Sequence, residues 1–391
     1  MKILWVNPEF LDYRVPVYDA LNKLCNNELY VVYSGLATPQ RVIEKMNAAL
    51  KENSIPLYND FQLIIGSTKS NLANSYVSFR YPKKLMKTIK RIKPDIIICE
   101  GFFKWSPYAM LQAKCMRIPL FVVYERTEHT ERNCPKWREC GRKLWSPFIK
   151  GFFINGKLTH EYLKQIGYGK KMIYKTGMAA DSYILKEKKD LFTNEERLIL
   201  KEQIKVNKGI TYLFVGQMVP RKGIQYLLAA WKNHTHNFPL DNLLLIGDGN
   251  LLNNFKKEYS HINSIKFLGN INYDEIYKYY AIANVFIIPT LEDNWSLVVA
   301  EAMACGLPVA CSIYNGCYPE LVIEGRNGKL FDPLKEKTII ETLSYFHTVN
   351  LEEMGKNSIK IESHYNPDTI AINIYNACNE ININTLKDER N

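Results

Sequence analysis

The sequence predicts an α/β protein with two domains, each built on a parallel β-sheet of the Rossmann type. The chain has 391 residues, which exceeds one ordinary hydrophobic core and suits two domains of about 150 to 200 residues. Short apolar runs alternate with amphipathic segments in both halves, as expected for parallel strands joined by crossover helices. A polar, charged stretch over residues 186–208 interrupts this alternation and predicts a connection between domains.

We therefore predict four parts of the chain. Residues 1–185 form a first Rossmann-like domain, 186–208 a linker, 209–365 a second Rossmann-like domain, and 366–391 a C-terminal helix with a polar tail. Each of the two domains then has a length typical of domains that fold around their own core.

In the first domain, apolar runs predict the strands, and the segments between them predict the helices. The predicted strands are 3–6, 29–33, 63–65, 95–99, 120–124 and 151–155. Helices are expected over 17–24, after a loop from Pro8 to Pro16, and over the strongly basic residues 80–93.

In the second domain the same alternation predicts four strands and four crossover helices. The strands are 212–215, 243–246, 265–268 and 285–288, and the helices are 224–232, 251–258, 273–282 and 297–305. A last helix is expected over 369–381, after Pro367.

Composition describes a globular protein. Apolar residues make up 47% of the chain and charged residues 23%, which excludes disorder on compositional grounds. The start turns polar at Asn7, too early for a signal-peptide core, and no apolar run approaches the roughly 20 residues that span a bilayer. The nine cysteines are scattered without metal-type spacing, so we expect reduced thiols in a cytoplasmic protein.

Charge is distributed unevenly along the chain. Residues 1–180 hold 29 Lys and Arg against 14 Asp and Glu, a net of +15, whereas the remainder carries −4. The basic half is expected to meet an anionic partner: a membrane surface, a pyrophosphate-linked acceptor or nucleic acid. Nucleic acid is the least favoured, because no recognisable binding module appears.

The most informative stretch is 285–310, where a short apolar strand leads through a polar loop into a helix. Gly306 and Pro308 end that helix. A helix that starts just beyond a parallel strand is where open α/β sheets bind anionic ligands. Asp293 in the loop and Glu301 in the helix place two carboxylates beside such a ligand.

This stretch resembles the Glu-x7-Glu signature of the retaining GT-B glycosyltransferases of family 4, bacterial surface-polysaccharide type. Glu301 matches the second glutamate, and Asp293 stands in the first position. The resemblance implies the GT-B fold, with two facing Rossmann-like domains and a last helix that crosses back onto the first. It also implies that Asp293 faces the donor sugar and Glu301 the ribose, with the amides of Ser296 and Leu297 toward the diphosphate. Asn294 and Trp295 complete this loop.

Two further segments are similar to donor-binding elements of the same family. Gly216 and Gln217 follow a strand, and the cations Arg221 and Lys222 precede a helix, where they can neutralise a diphosphate leaving group. The family usually has arginine at the position of Gln217. Gly247, Gly249 and Leu251 match the Gly-x-Gly-x-Leu element beside the donor nucleotide, where glycine lets the backbone approach a ligand closely.

Acceptor contacts are expected in the first domain. Polar residues directly follow predicted strands there, and related bacterial sequences have a similar run. The candidates are Glu125, Arg126, Glu128 and His129 after one strand, Glu100 after another, and Arg14 as a phosphate contact in the first loop.

The resemblance implies sugar transfer from a nucleotide-diphosphate donor, UDP-sugar favoured over GDP-sugar, to a hydroxyl of a lipid-linked glycan. No Asp-x-Asp pair occurs in the sequence, so neither a metal nor another cofactor is expected, and the departing phosphate would take the acceptor proton. The alternatives are a GT-B nucleotide-sugar epimerase and a catalytically silent nucleotide-binding protein. Extension of a soluble glucan is disfavoured by the chain's length and basic first half.

The basic helix from Lys83 to Lys93 has two interpretations. With Phe79, Tyr81 and Met86 it can lie on an anionic membrane, which would place the protein peripherally on the inner membrane face. Alternatively it is an ordinary solvated helix that packs Leu85, Ile89 and Ile92 inward.

Overall fold

The computed structural model describes residues 1–8, 12–58, 60–66 and 76–388, with side chains left out for 60–66, 76–81 and 384–388. The chain divides into two compact units. The first unit contains residues 1–179 and 367–391, and the second contains residues 180–366. Each unit has one parallel sheet with helices packed on it, as predicted for the α/β class.

The first unit is built on a seven-stranded parallel sheet with the order β3-β2-β1-β6-β7-β8-β9, beside a separate antiparallel hairpin of β4 and β5. The strands are β1 Ile3–Asn7, β2 Leu29–Ser34, β3 Ser54–Leu57, β4 Asp60–Gly66, β5 Tyr76–Pro82, β6 Ile96–Glu100, β7 Leu120–Tyr124, β8 Gly151–Ile154 and β9 Met172–Lys175. The central strands are buried on both faces, which explains their unbroken apolar sequences.

The helices of the first unit connect these strands, and the last helix returns to it from the end of the chain. They are α1 Val15–Leu24, α2 Gln40–Leu50, α3 Leu85–Ile92, α4 Ser106–Met116, α5 Glu128–Glu131, α6 Lys136–Trp145, α7 Lys157–Leu163 and α17 Pro367–Asp388. Helix α17 packs along α1 and buries Ile370, Ile374 and Ile381.

Two features of this unit differ from the sequence-based prediction. Strands β3 and β9 were not predicted, because both are short edge strands and β3 contains Pro56. The basic segment 80–93 begins as the end of β5, and its helix α3 starts only after Pro82. The expected contribution of Phe79 and Tyr81 to a membrane surface lies outside the described side chains.

The second unit is built on a six-stranded parallel sheet with the order β12-β11-β10-β13-β14-β15. The strands are β10 Thr211–Val215, β11 Asn242–Ile246, β12 Ile265–Gly269, β13 Val285–Ile288, β14 Val309–Ser312 and β15 Gly328–Phe331. The four predicted strands are present, and β14 and β15 are additional. Both are only four residues long and rich in small or polar residues, so periodicity did not reveal them.

The helices of the second unit include the segment that was predicted as a linker. They are α8 Ser182–Leu191, α9 Asn194–Gln203, α10 Ile224–Asn237, α11 Leu252–Tyr259, α12 Tyr277–Ile282, α13 Leu297–Ala304, α14 Tyr318–Leu321, α15 Glu336–Tyr345 and α16 Leu351–Glu362. Residues 186–208 therefore form most of α8 and all of α9 rather than a linker. The sequence misled because both helices are polar and no residue of α9 is buried. A Thr193–Glu196 capping box starts α9.

The order of the second sheet fixes where a ligand site can form. Chain connections leave β10 toward β11 on one side, and β13 pairs with β10 on the other. The loops after β10 and β13 therefore diverge at the carboxyl edge of the sheet, which is the place where open α/β sheets bind ligands.

Within the chain segments that the structure describes, no helix combines the length and apolar character needed to cross a bilayer. All nine cysteines lie in these segments as free thiols.

Candidate functional site

Three loops meet at the carboxyl edge of the second sheet through their backbones. Met218 N–H donates to the carbonyl oxygen of Asp248 at 2.8 Å, and Leu251 N–H donates to the carbonyl oxygen of Met218 at 3.0 Å. On the other side, Leu291 N–H donates to the carbonyl oxygen of Arg221 at 2.8 Å. The loops after β10, β11 and β13 thus form one hydrogen-bonded floor.

Glycine is required where these loops touch. A Cβ atom on Gly247 would lie 1.9 Å from the carbonyl oxygen of Gly216, and one on Gly249 would lie 2.5 Å from that of Met218. Gly223 has φ +67° and would place a Cβ atom 2.0 Å from the carbonyl oxygen of Pro289. The predicted Gly-x-Gly element therefore has an internal reason, the contact between loops, whether or not a nucleotide binds there.

Asp293 is the centre of a charged hydrogen-bond cluster. Its Oδ2 atom lies 2.5 Å from the ammonium of Lys222 and accepts from the Ser296 hydroxyl at 2.8 Å. Its Oδ1 atom accepts from the Trp295 N–H at 3.2 Å. Burial opposes ionisation here, but Lys222 and Ser296 outweigh it and hold the pKa of Asp293 below its ordinary value. The structure thus joins two predicted site residues, a carboxylate and an ammonium.

The loop after β14 donates two hydrogen bonds to this cluster. Asn315 Nδ2 donates to the Ser296 hydroxyl at 2.9 Å, and Gly316 N–H donates to the carbonyl oxygen of Asp293 at 2.9 Å. Asn315 is fully buried. The sequence analysis missed it, because it follows an unpredicted strand and carries no motif of its own.

Glu301 lies in α13 and is buried against two tyrosines. The Tyr280 hydroxyl donates to Oε2 at 3.1 Å, and the Tyr273 hydroxyl lies 3.3 Å from Oε1. Burial raises the pKa of Glu301 to about 7, and the two hydrogen bonds only partly oppose that rise. Glu301 is therefore not a solvated helix charge, and neither tyrosine was foreseen.

The remaining donor-side candidates lie in the loops at this edge of the second sheet. Arg221 donates from Nη2 to the Gln217 side-chain oxygen at 3.3 Å. Trp295 is buried and packs near Tyr365, with ring centroids 5.9 Å apart. The Ser296 amide interacts with the Cys317 thiol.

The Leu297 amide opens α13 and stays a predicted phosphate contact. Asn294 and Leu251 are partly buried in the same loops, and their donor contacts also stay predictions.

In the first unit, Arg14 does not present a free cation. Its guanidinium is buried and pairs with Glu100, with Nε and Oε1 3.2 Å apart. Trp5 Nε1 donates to the same Oε1 atom at 3.0 Å. Burial raises the pKa of Glu100, although Arg14 opposes the rise. Arg14, predicted to contact a phosphate, is thus already paired with the carboxylate of Glu100.

The run after β7 is ordered by a capping box. Thr127 caps the short helix α5. Glu128 is exposed and accepts from Gln165 Nε2 at 3.0 Å, whereas Glu125, Arg126 and His129 are partly exposed in the same segment. Their roles toward an acceptor stay predictions.

A buried ion pair in this region was not predicted from the sequence. Glu131 and Arg142 are both buried and hydrogen-bonded to each other, and Arg142 also donates to the Tyr162 hydroxyl at 2.8 Å. They line a cavity of about 550 Å³, to which Glu128 contributes as well. Glu131 belongs to the charged run that was noticed, but Arg142 lies in a helix without any distinguishing signal.

Comparison with known proteins bears mainly on the second unit. Residues 196–360 match the family model described as glycosyl transferases group 1, and they contain every donor-side candidate. An uncharacterised glycosyltransferase of Methanocaldococcus jannaschii is 34% identical over 164 residues, which cover 39% of this chain and 44% of that protein. The alpha-monoglucosyldiacylglycerol synthase of Acholeplasma laidlawii is 24% identical over 283 residues, covering 66% of this chain and 68% of that protein.

A solved structure extends the likeness to the whole chain. The Anabaena protein HepE, in complex with UDP, superposes with a TM-score of 0.72 at 17% identity, covering 97% of this chain and 100% of that one. This similarity and the two parallel-sheet units confirm the predicted α/β fold of the GT-B type. Together with the family match, they support a glycosyltransferase of that fold. Membership of family 4 and the Glu-x7-Glu assignment stay predictions.

The environment of Glu301 gives a pH-dependent stability prediction. A pKa raised from 4.5 to about 7 means that the native state holds this proton more tightly than the unfolded chain. The free energy of unfolding therefore falls as the pH rises from about 4.5 to about 7, and the full loss of up to about 3 kcal/mol is present above pH 7. We expect Glu301→Gln, which keeps the shape without the charge, to raise the urea midpoint of the ligand-free protein at pH 8, and this gain to shrink strongly at pH 5.

The matched control is Glu341→Gln, an exposed glutamate of α15, which is expected to leave the midpoint nearly unchanged at both pH values. An equal effect of Glu301→Gln at pH 8 and pH 5 would contradict the assignment of a buried, ionising carboxylate.

Proposed function

We propose that the protein is a retaining glycosyltransferase that moves a sugar from a nucleotide-diphosphate donor to a hydroxyl of a lipid-linked glycan. The observation that carries the proposal is the pairing of Lys222 with Asp293 at the carboxyl edge of the second sheet, with the buried Glu301 in the helix α13 that follows the Asp293 loop. These residues lie within the region that matches the glycosyltransferase family model. A cation paired with a carboxylate suits a ligand with both phosphate and sugar hydroxyls.

In the proposed reaction, the bond between the anomeric carbon and the outer phosphate oxygen breaks, and the acceptor oxygen bonds to that carbon on the same face. The departing phosphate takes the acceptor proton, and the nucleoside diphosphate leaves. Lys222 exchanges part of its contact with Asp293 for the phosphate and neutralises the charge that develops there. Asp293, freed in part, accepts hydrogen bonds from the sugar, and Glu301 accepts them from the ribose.

We propose that this transfer needs no metal ion at the donor phosphates. The family arginine is replaced by Gln217, but the Gln217 side chain holds the guanidinium of Arg221 at 3.3 Å. Arg221 is thus positioned as a second cation beside Lys222, which supports the idea that it compensates for the replacement. Bidentate contact with phosphate oxygens is a geometry that arginine favours.

We favour a UDP-sugar as the donor, with a GDP-sugar as the alternative. The structural neighbour HepE is described in complex with UDP and with UDP-glucose. Those complexes belong to that protein, and they support the choice of UDP as the first probe for this one.

The acceptor that we propose is a lipid-linked glycan of capsule, O-antigen or exopolysaccharide synthesis at the inner membrane face. The Acholeplasma relative is named as the synthase of a glycolipid. In this chain, α3 buries Leu85 and Ile89 on one side. On its other side, α3 and its flanks expose only cations and Met86. These exposed cations are Lys83, Lys84, Lys87, Lys90, Arg91 and Lys93.

The second candidate is a nucleotide-binding protein without turnover. The close contact between Lys222 and Asp293 favours this candidate. If the lysine stayed paired with Asp293 when a donor bound, it could not neutralise the leaving phosphate. Nothing in the comparisons supports the epimerase alternative.

Nucleotide binding is the first test. We expect UDP to raise the melting temperature of EDTA-treated protein by several degrees, equally with and without Mg²⁺, and GDP to do so much less. Glu301→Ala should lose most of this stabilisation, because the ribose hydroxyls lose their acceptor. Glu341→Ala is the matched control and should keep it. Absence of a shift with both nucleotides would leave only a likeness of fold.

Turnover separates the transferase from the silent binder. We expect wild-type protein to release UDP from UDP-glucose, UDP-galactose or UDP-N-acetylglucosamine in the presence of membrane lipid extract. Lys222→Ala should lower kcat by roughly 10²–10³-fold, the loss typical of one removed transition-state donor. The control Lys232→Ala alters an exposed lysine of α10 and should be neutral. Stabilisation by UDP without UDP release from any donor would favour the silent binder.

Membrane association is tested by sedimentation with vesicles. A triple Lys83/Lys84/Lys87→Glu variant should lose binding to anionic vesicles, since three of the six exposed cations of α3 and its flanks become anions and the positive charge of this face is cancelled. The control changes three exposed lysines of the second unit, Lys208, Lys256 and Lys257, to glutamate. It alters net charge equally and should still sediment. Equal sedimentation of wild type and the α3 variant would refute the membrane proposal.

A further inference from the structure

Three metal-ligating side chains meet in the second unit, away from the candidate donor site. His234 lies near the end of α10, Asp241 directly precedes β11, and His347 follows α15. Their ligand atoms all lie within 4.8 Å of one another. Residues that precede β10 and β11 lie at the amino edge of the sheet, whereas the donor-site loops follow the same strands at the carboxyl edge.

The geometry points to a transition-metal site formed by His234, Asp241 and His347, with Zn²⁺ as the best-matched ion. Two imidazole nitrogens and one carboxylate oxygen are ligands that zinc takes commonly, and a water would complete four-coordination. The role that we propose is structural, because the ion would join α10 to the chain after α15.

The distances are compatible with a bound ion. Each histidine Nε2 atom lies 2.8 Å from the same Asp241 Oδ2 atom. Tetrahedral zinc with ligand bonds near 2.0–2.1 Å keeps its ligand atoms about 3.3 Å apart, so the cluster needs to open by about half an ångström. His347 can supply that movement on its own side, because 24% of its side chain is exposed; His234 and Asp241, at 0% and 2%, must move apart within the core.

The surroundings hold the three groups in orientation. Ile210 N–H donates to Asp241 Oδ1 at 2.9 Å, which leaves Oδ2 to face both rings. Phe238 stacks on His347 with centroids 3.8 Å apart and on His234 with centroids 4.9 Å apart. A hydrogen bond to a ligating carboxylate, such as that from Ile210, is typical of metal sites.

The competing interpretation is a hydrogen-bonded triad in which both imidazoles donate Nε2–H to Asp241. Metal binding at Nε2 moves the ring proton of each histidine to Nδ1. The Nδ1 atom of His234 is buried and has no hydrogen-bond partner among the described residues, so it favours neither protonation state. Only metal binding distinguishes the two interpretations.

The same segment is already joined to the sheet by a protein contact. The buried Tyr212 hydroxyl of β10 donates to the carbonyl oxygen of Leu343 at 2.6 Å. A metal ion at His347 would add a second connection a few residues further along the chain. Its expected effect is a higher melting temperature in the presence of Zn²⁺, with no part in sugar transfer.

The experiment uses the full chain without a histidine tag, treated with EDTA and titrated with Zn²⁺ against a chromophoric chelator. We expect one tight site per chain. His347→Gln keeps an N–H toward Asp241 but supplies no imidazole, and should bind at least about tenfold more weakly. His236→Gln removes an exposed histidine of α10 and should bind like wild type. Cys115 and Cys140 are exposed thiols, which can also bind zinc. The test is therefore the difference in affinity between the His347→Gln and His236→Gln variants, not the total amount of zinc bound.

A second measurement does not depend on a variant. Co²⁺ added to the wild-type protein should give the visible absorption of a tetrahedral N/O site, and Zn²⁺ should abolish it. Equal Zn²⁺ affinity of wild type and His347→Gln, or no binding of either ion, would overturn the proposal in favour of the hydrogen-bonded triad. UDP stabilisation of the EDTA-treated protein is independent of these outcomes, so the two proposals fail separately.

Discussion

Direct backbone contact between loops at the carboxyl edge of the second sheet is the constraint on which the candidate donor site depends. Gly247 sits against Gly216, and Gly223 sits against Pro289, at distances that exclude any side chain. These contacts fix the backbone of the loops that carry Lys222 and Asp293. Fixed loop backbones hold the Lys222 ammonium 2.5 Å from the Asp293 carboxylate. Little conformational entropy is then lost when the two side chains pair.

The pKa values of Asp293 and Glu301 shift in opposite directions for a physical reason. Asp293 has an ammonium partner and two further donors, so its charge is stabilised in spite of burial. Glu301 has only tyrosine hydroxyls, which are weaker partners for a charge, so its pKa rises to about 7. Environments that separate the pKa values of two acids are a general way in which one site obtains two chemical roles. Here Lys222 and Ser296 lower the pKa of Asp293, whereas burial raises that of Glu301.

Charge is handled differently in the first unit. Among the described side chains of this unit, the two most buried arginines each pair with a carboxylate, Arg14 with Glu100 and Arg142 with Glu131. Such pairs attract a distant anionic partner only weakly, because the negative carboxylate offsets the positive charge of the arginine beside it. The positive excess of the first half therefore resides in exposed cations, of which the face of α3 is the densest described cluster. This is why a membrane surface, rather than an isolated buried phosphate contact, is the partner that we propose for it.

The sequence by itself determined the α/β class, the central strands and the loop that contains Asp293, because these features are local. Strands such as Leu120–Tyr124 and Val285–Ile288 are buried on both faces and therefore read as unbroken apolar runs. Only the tertiary structure decided which distant residues meet. Asn315 donates to Ser296 from the loop after the neighbouring strand, and His347 lies next to Asp241 although 106 positions separate them. Partners of that kind leave no periodic trace in a sequence, because their contact is set by strand order rather than by spacing along the chain.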